Sequence, residues 1–309
     1  MHAVINAALP IFALIFTGYV CAKLKLLGDR AIDSLNRFAV YLALPTLLFG
    51  AMARITIEQI SQAGFALAFA GGIAAPFLVA FLMARRRKLR VAQASIEGLD
   101  AGYANVGFMG IPLCLLVFGD SSIPAAVIAT LFTACLLFAA SIMLIEADLR
   151  RVGSWRYTLR NVLLSAARNP LLIGPAAGLT VGMAGFSLPA PVERSVLLLG
   201  GAASPVALVC IGLFLAQERM ARDIKTVAVL VGLKLIVQPA VTAVLAFYVF
   251  TMPPIWSHAA VLLGALPIGS GPFVLAALYG LEANVTSGAI LLSHLCSVVT
   301  VSLLVAWLG

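Results

Sequence analysis

The chain has 309 residues, 62% of them hydrophobic and 10% charged, with a mean hydropathy of +1.10. A soluble domain is about 25% charged, so a soluble enzyme or binding module is excluded and an integral membrane protein is expected. The net charge of +8 calls for no nucleic acid, because the basic residues collect in alternate loops.

The apolar runs are helix-length and lack the two-residue alternation of an outer-membrane barrel. In chain order they cover roughly 3–22, 33–53, 62–84, 93–118, 124–147, 169–187, 193–217, 226–250, 257–280 and 284–308. The first is followed by "KLK" where a small-residue cleavage site should lie, so it reads as a span and not as a signal peptide. The fourth contains "NVGFMGIPL" (105–113), with glycines and a proline at mid-span. The longest polar stretch, 148–168, is too short for a soluble domain, and "RRVGSWRYTLRNVLL" (150–164) reads either as an amphipathic segment on the inner membrane surface or as a basic linker. The ninth run, "HAAVLLGALPIGSGPFVLAALYG" (258–280), repeats the mid-span break with Pro267, Gly269, Gly271 and Pro272. The five cysteines all fall inside apolar runs at spacings unlike metal ligands, and read as packing residues.

Of the 20 Lys and Arg residues, 17 fall in the loops after the first, third, fifth and seventh runs. The positive-inside rule puts those loops in the cytoplasm and both termini outside, in an inner cell membrane. Shifting the sequence by 160 residues brings Pro10 onto Pro170, Gly18 onto Gly178, Pro45 onto Pro205 and Pro112 onto Pro272. Five spans per copy is an odd number, so the second copy is inverted, as in many secondary transporters. The expected fold is all-α, with ten transmembrane helices as two inverted repeats: 1–149 and 169–309, joined by the linker 150–168. Spans four and nine would be broken and would cross near the midplane. Each half-helix beyond a break would present its N-terminus to the crossing, with Pro112 or Pro272 in its first turn. Such ends carry partial positive charge and free N–H groups, which suits a carboxylate.

"LPIFALIFTGYVCAKLKLLG" (9–28), "LNRFAVYLALPTLLFGAMA" (35–53), "NVGFMGIPL" (105–113) and "LPIGSGPFVLAALYG" (266–280) resemble the auxin efflux carrier family, over nearly the whole chain. Its bacterial members include malate- and malonate-permease-like proteins. The resemblance implies a scaffold domain, a transport domain with crossed helices, elevator-like alternating access and a small organic anion as substrate. By position, Asn105, Pro112 and Pro272 match the family's crossover motif. The plant members carry a second asparagine where this chain reads "ALPIGSGP", leaving Ser270 as the only side-chain hydroxyl or amide there.

The candidate substrate site is therefore Asn105, Gly107, Gly110, Pro112, Pro267, Gly269, Ser270, Gly271, Pro272 and Lys234. Asn105 has two roles open to it: contact with substrate, or a cap on the broken helix. Lys234 lies too deep to snorkel fully, with Gln238 and Thr242 at i+4 and i+8. It could be an anion counter-charge, a fixed cation replacing a coupling ion, or a structural lysine on carbonyls or Asp100. Glu97 and Asp100 read either as a proton-coupling pair or as lining a cytoplasmic vestibule. His294 reads as a neutral interhelical bond or a titrating site. The expected partners are the bilayer and a small organic anion, with a homodimer left open. No metal or cofactor motif is present. HExxH, GxSxG, aspartate-rich and P-loop patterns are all missing, which argues against an enzyme or an ATP-driven pump. The alternatives are a sodium-coupled symporter of the bile-acid type, an auxin-like aromatic carboxylate carrier, and a channel.

Overall fold

The computed structural model describes residues 2–28, 31–54, 62–149, 160, 164, 167–168, 170–186, 188–217 and 223–308, and among these no β-strand forms. The candidate linker helix at 150–164 lies outside the described residues, apart from Arg160 and Leu164. The first repeat expected from sequence holds α1 (His2–Lys23), α2 (Ala31–Met52), α3 (Ala63–Arg86), α4 (Val91–Gly102), α5 (Val106–Phe118) and α6 (Asp120–Asp148). After it come α7 (Pro170–Met183), α8 (Ala190–Leu215), α9 (Ile224–Val249), α10 (Pro254–Gly264), α11 (Gly271–Tyr279) and α12 (Asn284–Leu308). Six of these, α2, α3, α6, α8, α9 and α12, are long and apolar enough to cross a bilayer, and shorter apolar helices accompany them. The protein is thus an all-helical, multi-pass membrane protein.

Local chemistry explains several helix ends. Asp223 accepts from the Thr226 N–H at 3.2 Å and from its hydroxyl at 2.7 Å, which starts α9 and holds the carboxyl below its usual range. Gly280 ends α11 in the left-handed conformation, with φ of +64°. Prolines shape the helix interiors. Wide, π-helical turns at Ala39–Ala43, Val106–Gly110 and Leu233–Val237 each stop two residues before a proline: Pro45, Pro112 and Pro239. A proline ring crowds the carbonyl four residues back and donates nothing to it. A π-turn moves that carbonyl aside at the cost of one looser turn.

Two kinds of contact hold the helices together. Glycines bring α1, α2, α7 and α8 backbone to backbone. A side chain on Gly18 would run into the Val209 carbonyl, and one on Gly178 into the Phe49 carbonyl. Gly174 and Gly182, four residues to either side of Gly178, meet Pro45 and Ala53 in the same way, a ridge of small residues that lets α7 lie against α2. Gly212 meets Ile15, and Gly200 meets Leu47. At the ends of these helices Arg54 pairs with Glu193 at 2.8 Å and Lys23 donates to the Ala216 carbonyl at 3.1 Å. Side-chain polar bonds also tie α3, α4, α6 and α9 to one another and to the C-terminal helices. Arg87 meets both Glu97 and the Thr226 hydroxyl, Arg90 pairs with Asp148 at 3.3 Å, and Gln93 exchanges two hydrogen bonds with the Glu282 backbone. The Tyr279 hydroxyl donates to Glu146 at 3.0 Å. Aromatic packing fills the interior of this group, with Phe65 stacked on Phe69 at 5.7 Å and edge-on to Trp256 at 5.4 Å.

Candidate functional site

Between α4 and α5 the chain leaves helical geometry at Tyr103–Asn105, and between α10 and α11 it does so over 265–270. The two extended stretches lie antiparallel and pair at Ala104 and Ile268. The Asn105 N–H donates to the Pro267 carbonyl at 2.9 Å, and the Gly269 N–H donates to the Tyr103 carbonyl at 3.1 Å. Freed backbone groups in a hydrocarbon layer must find partners inside the protein, and here each stretch supplies them for the other. A third bond comes from α12, where the Ser293 hydroxyl accepts from the Ile268 N–H at 3.1 Å and donates to the Ile290 carbonyl.

The glycines permit this approach. A Cβ on Gly269 would lie 2.8 Å from the Tyr103 ring and 3.3 Å from the Asn105 Cα. One on Gly271 would lie 2.6 Å from the same ring and 2.8 Å from Phe138, which packs against Tyr103 with ring centroids 5.4 Å apart. Gly110 faces Leu263 and Leu266. Gly107 is looser: its nearest neighbour is a methyl of Leu171 on α7, at 3.4 Å.

Asn105 does not cap α5 with its side chain, which corrects one of the two roles open to it. Its backbone carbonyl instead accepts from the Met109 and Gly110 N–H groups, while its side-chain amide meets His294 Nε2 at 3.2 Å. His294 Nδ1 lies 2.9 Å from the Ile290 carbonyl, which can only accept. Nδ1 is therefore the protonated nitrogen, Nε2 the acceptor, and Asn105 the donor to it. This is the interhelical histidine bond that the sequence left as one option.

Pro272 is the second residue of α11, in the first turn as expected. Pro112 is the second residue of the α-helical part of α5, Ile111–Phe118, in its first turn as expected. The π-turn Val106–Gly110 starts α5 earlier, and Pro112 sits past it, where the wide turn relieves the ring's clash. The first N–H groups of both helices have no partner within the helix. Beside them Ser270 is exposed and Gly107 half-buried, so this side of the crossing is reachable.

Lys234 is fully buried, and its ammonium donates to the carbonyls of Gly264 at 2.9 Å and Leu266 at 2.6 Å, at the end of α10. Gln238 and Thr242 are fully buried on the same helix, and neither amide atom of Gln238 has a partner. Glu97 and Asp100 part company. Glu97 meets Arg87 and lines a cavity of about 130 Å³ with Lys225 and Thr226. Asp100 does not face that vestibule. It is fully buried and accepts from the Thr286 hydroxyl at 2.8 Å, with its other oxygen unpartnered. Among the described residues no cluster of three or more His, Cys, Asp or Glu could hold a metal ion.

Sequence reading missed Tyr103, Thr286 and the pairing of Arg87. Tyr103 alone carried a signal, as an aromatic residue at the mouth of the Asn-Gly-Gly-Pro stretch.

The model of a family described as "Membrane transport protein" matches residues 3–305. A protein of Rhizobium meliloti (strain 1021) named "Putative malonate transporter" is 32% identical over 307 residues, covering 98% of this chain and 95% of that one. An "Uncharacterized transporter" of Methanothermobacter thermautotrophicus is 25% identical over 302 residues, 96% of each chain. The "Uncharacterized transporter YfdV" of Escherichia coli (strain K12) is 24% identical over 303 residues, 97% of this chain and 96% of that one.

Proposed function

The chain belongs to the membrane transport protein family, that of the auxin efflux carriers, and we propose that it is a secondary carrier of small organic acid anions of the malonate and malate type. It is a transporter and not an enzyme. The observation that carries the reading is the pairing of Ala104 with Ile268. That contact brings the N-termini of α5 and α11 to one point, where their partial positive charge and free N–H groups suit a carboxylate. Asn105 and Ser270 supply side-chain polar groups beside them. The substrate class also draws on the relative named for malonate.

Movement would follow the division of contacts. The glycine-joined helices α1, α2, α7 and α8 would be a scaffold. The polar-bonded group, carrying the crossing, would slide against it as an elevator. The inverted repeat has support from reciprocal contacts: Gly18 meets Val209, Gly178 meets Phe49, and both pairs are related by the 160-residue shift. The topology, with both termini outside an inner membrane, rests on the placement of the basic residues.

Counterflow of labelled malonate in proteoliposomes, competed with malate, pyruvate, citrate, bile acid and indole acetate, tests the substrate. Saturable exchange competed by the small dicarboxylates is expected, and exchange competed only by bile acid or indole acetate would overturn the class. The elevator has its own test. In a background without the five native cysteines, Gly107→Cys and Leu171→Cys join the crossing to α7. Cross-linking with mercuric ion should stop exchange, and reduction should restore it. Undiminished exchange by a fully cross-linked protein would rule out sliding at this boundary.

A further inference from the structure

Lys234 sits on the π-turn Leu233–Val237 of α9, fully buried, and reaches the chain just ahead of the second extended stretch. Its two acceptors, Gly264 and Leu266, lie where α10 ends, and the C-terminal end of a helix carries partial negative charge. The bonds to Gly264 and Leu266, at 2.9 and 2.6 Å, occupy both carbonyls. A buried ammonium normally needs a counter-charge, yet among the described residues no carboxylate lies within ion-pair reach of Lys234. Two further oxygen-bearing side chains are buried on the same helix. Thr242 packs against Gly264, and between Lys234 and Thr242 the buried Gln238 amide has no partner. The lysine thus ends on two carbonyl oxygens at a helix C-terminus, and such oxygens are the atoms that would hold a small, hard cation.

We propose that the Lys234 ammonium is a built-in counter-cation, filling the place at the end of α10 that a dissolved monovalent cation would otherwise take, so that the protein works without sodium. The site itself rests on the geometry around Lys234. Its bearing on transport rests on the carrier reading. Lys234 acts here as a positioning residue, holding the second extended stretch in shape through Gly264 and Leu266.

The test begins with thermal unfolding of the purified protein in choline, sodium and n-propylammonium chloride. The unaltered protein should unfold at one temperature in all three. Lys234→Ala should unfold earlier in choline and recover in propylammonium or sodium, while Lys234→Met, which fills the space without a charge, should respond to neither. Malonate counterflow should follow the same pattern. It should be independent of sodium in the unaltered protein, and about tenfold or more slower for Lys234→Ala in choline, as expected when buried carbonyls lose a charged donor. It should then be largely restored by propylammonium. A sodium requirement in the unaltered protein would overturn the proposal. So would wild-type exchange by Lys234→Met, which remains informative if Lys234→Ala fails to fold. A Lys234→Ala protein that folds but answers to neither cation would do the same. The unfolding experiment needs no substrate, so absence of malonate exchange in the unaltered protein would sink the carboxylate reading alone.

Discussion

Asn105→Ala is expected to remove saturable malonate exchange while leaving a folded, monodisperse protein. The bonds that hold residue 105 in place are main-chain ones, from its N–H to Pro267 and to its carbonyl from Met109 and Gly110, and alanine keeps all three. The loss is the side-chain amide. It leaves His294 Nε2 buried without its donor, a cost of about 1–3 kcal/mol and tolerable for a protein of this size. Exchange should fall on the order of 100-fold, because the amide sits beside the helix end where an anion is to be held and a hydrogen bond to a charged group is worth about 1.5–3 kcal/mol. Asn105→Asp makes the complementary case, with similar volume but a negative charge facing the anion. Binding of malonate measured by calorimetry in detergent separates affinity from movement. Unchanged affinity in Asn105→Ala would take Asn105 out of the site.

The second large effect is structural. Gly178→Leu should fail to give folded protein, because its Cβ would run into the Phe49 carbonyl, a backbone atom that cannot step aside as a side-chain tip can. Overpacking a tight contact costs about 1–3 kcal/mol or more, and the ridge continues through Gly174 and Gly182, so α7 cannot simply shift along α2. Gly18→Leu should fail in the same way against Val209. Gly201→Leu is the control, with nothing within 4 Å of the added Cβ. Monodispersity on size exclusion, followed by the unfolding temperature of whatever survives, decides the matter. A Gly178→Leu protein as stable as the unaltered one would mean that α7 and α2 do not approach this closely.

Composition and period were enough to read an all-helical membrane protein, because in lipid the backbone must bond to itself and each span must be long and apolar. That the fourth and ninth runs depart from regular helix was also legible, but the first departure lies at 103–105, ahead of the Gly-Phe-Met-Gly-Ile-Pro residues that pointed to it. Glycine and proline set local backbone geometry on their own, and the second break repeats the first. The match of Gly18 with Gly178 was legible as a sign of the repeat, but the backbone contacts these glycines make were not. The π-turns were not legible, since they arise from a proline acting on carbonyls that a packed neighbour could equally have taken up. Nor were the partners of the polar residues. Asn105 finds His294 across 189 positions, Thr286 finds Asp100 across 186, and Lys234 turns to the carbonyls of Gly264 and Leu266. Hydropathy tells how deep a polar side chain lies, but which group it bonds depends on which helices pack around it. That choice belongs to the tertiary structure alone.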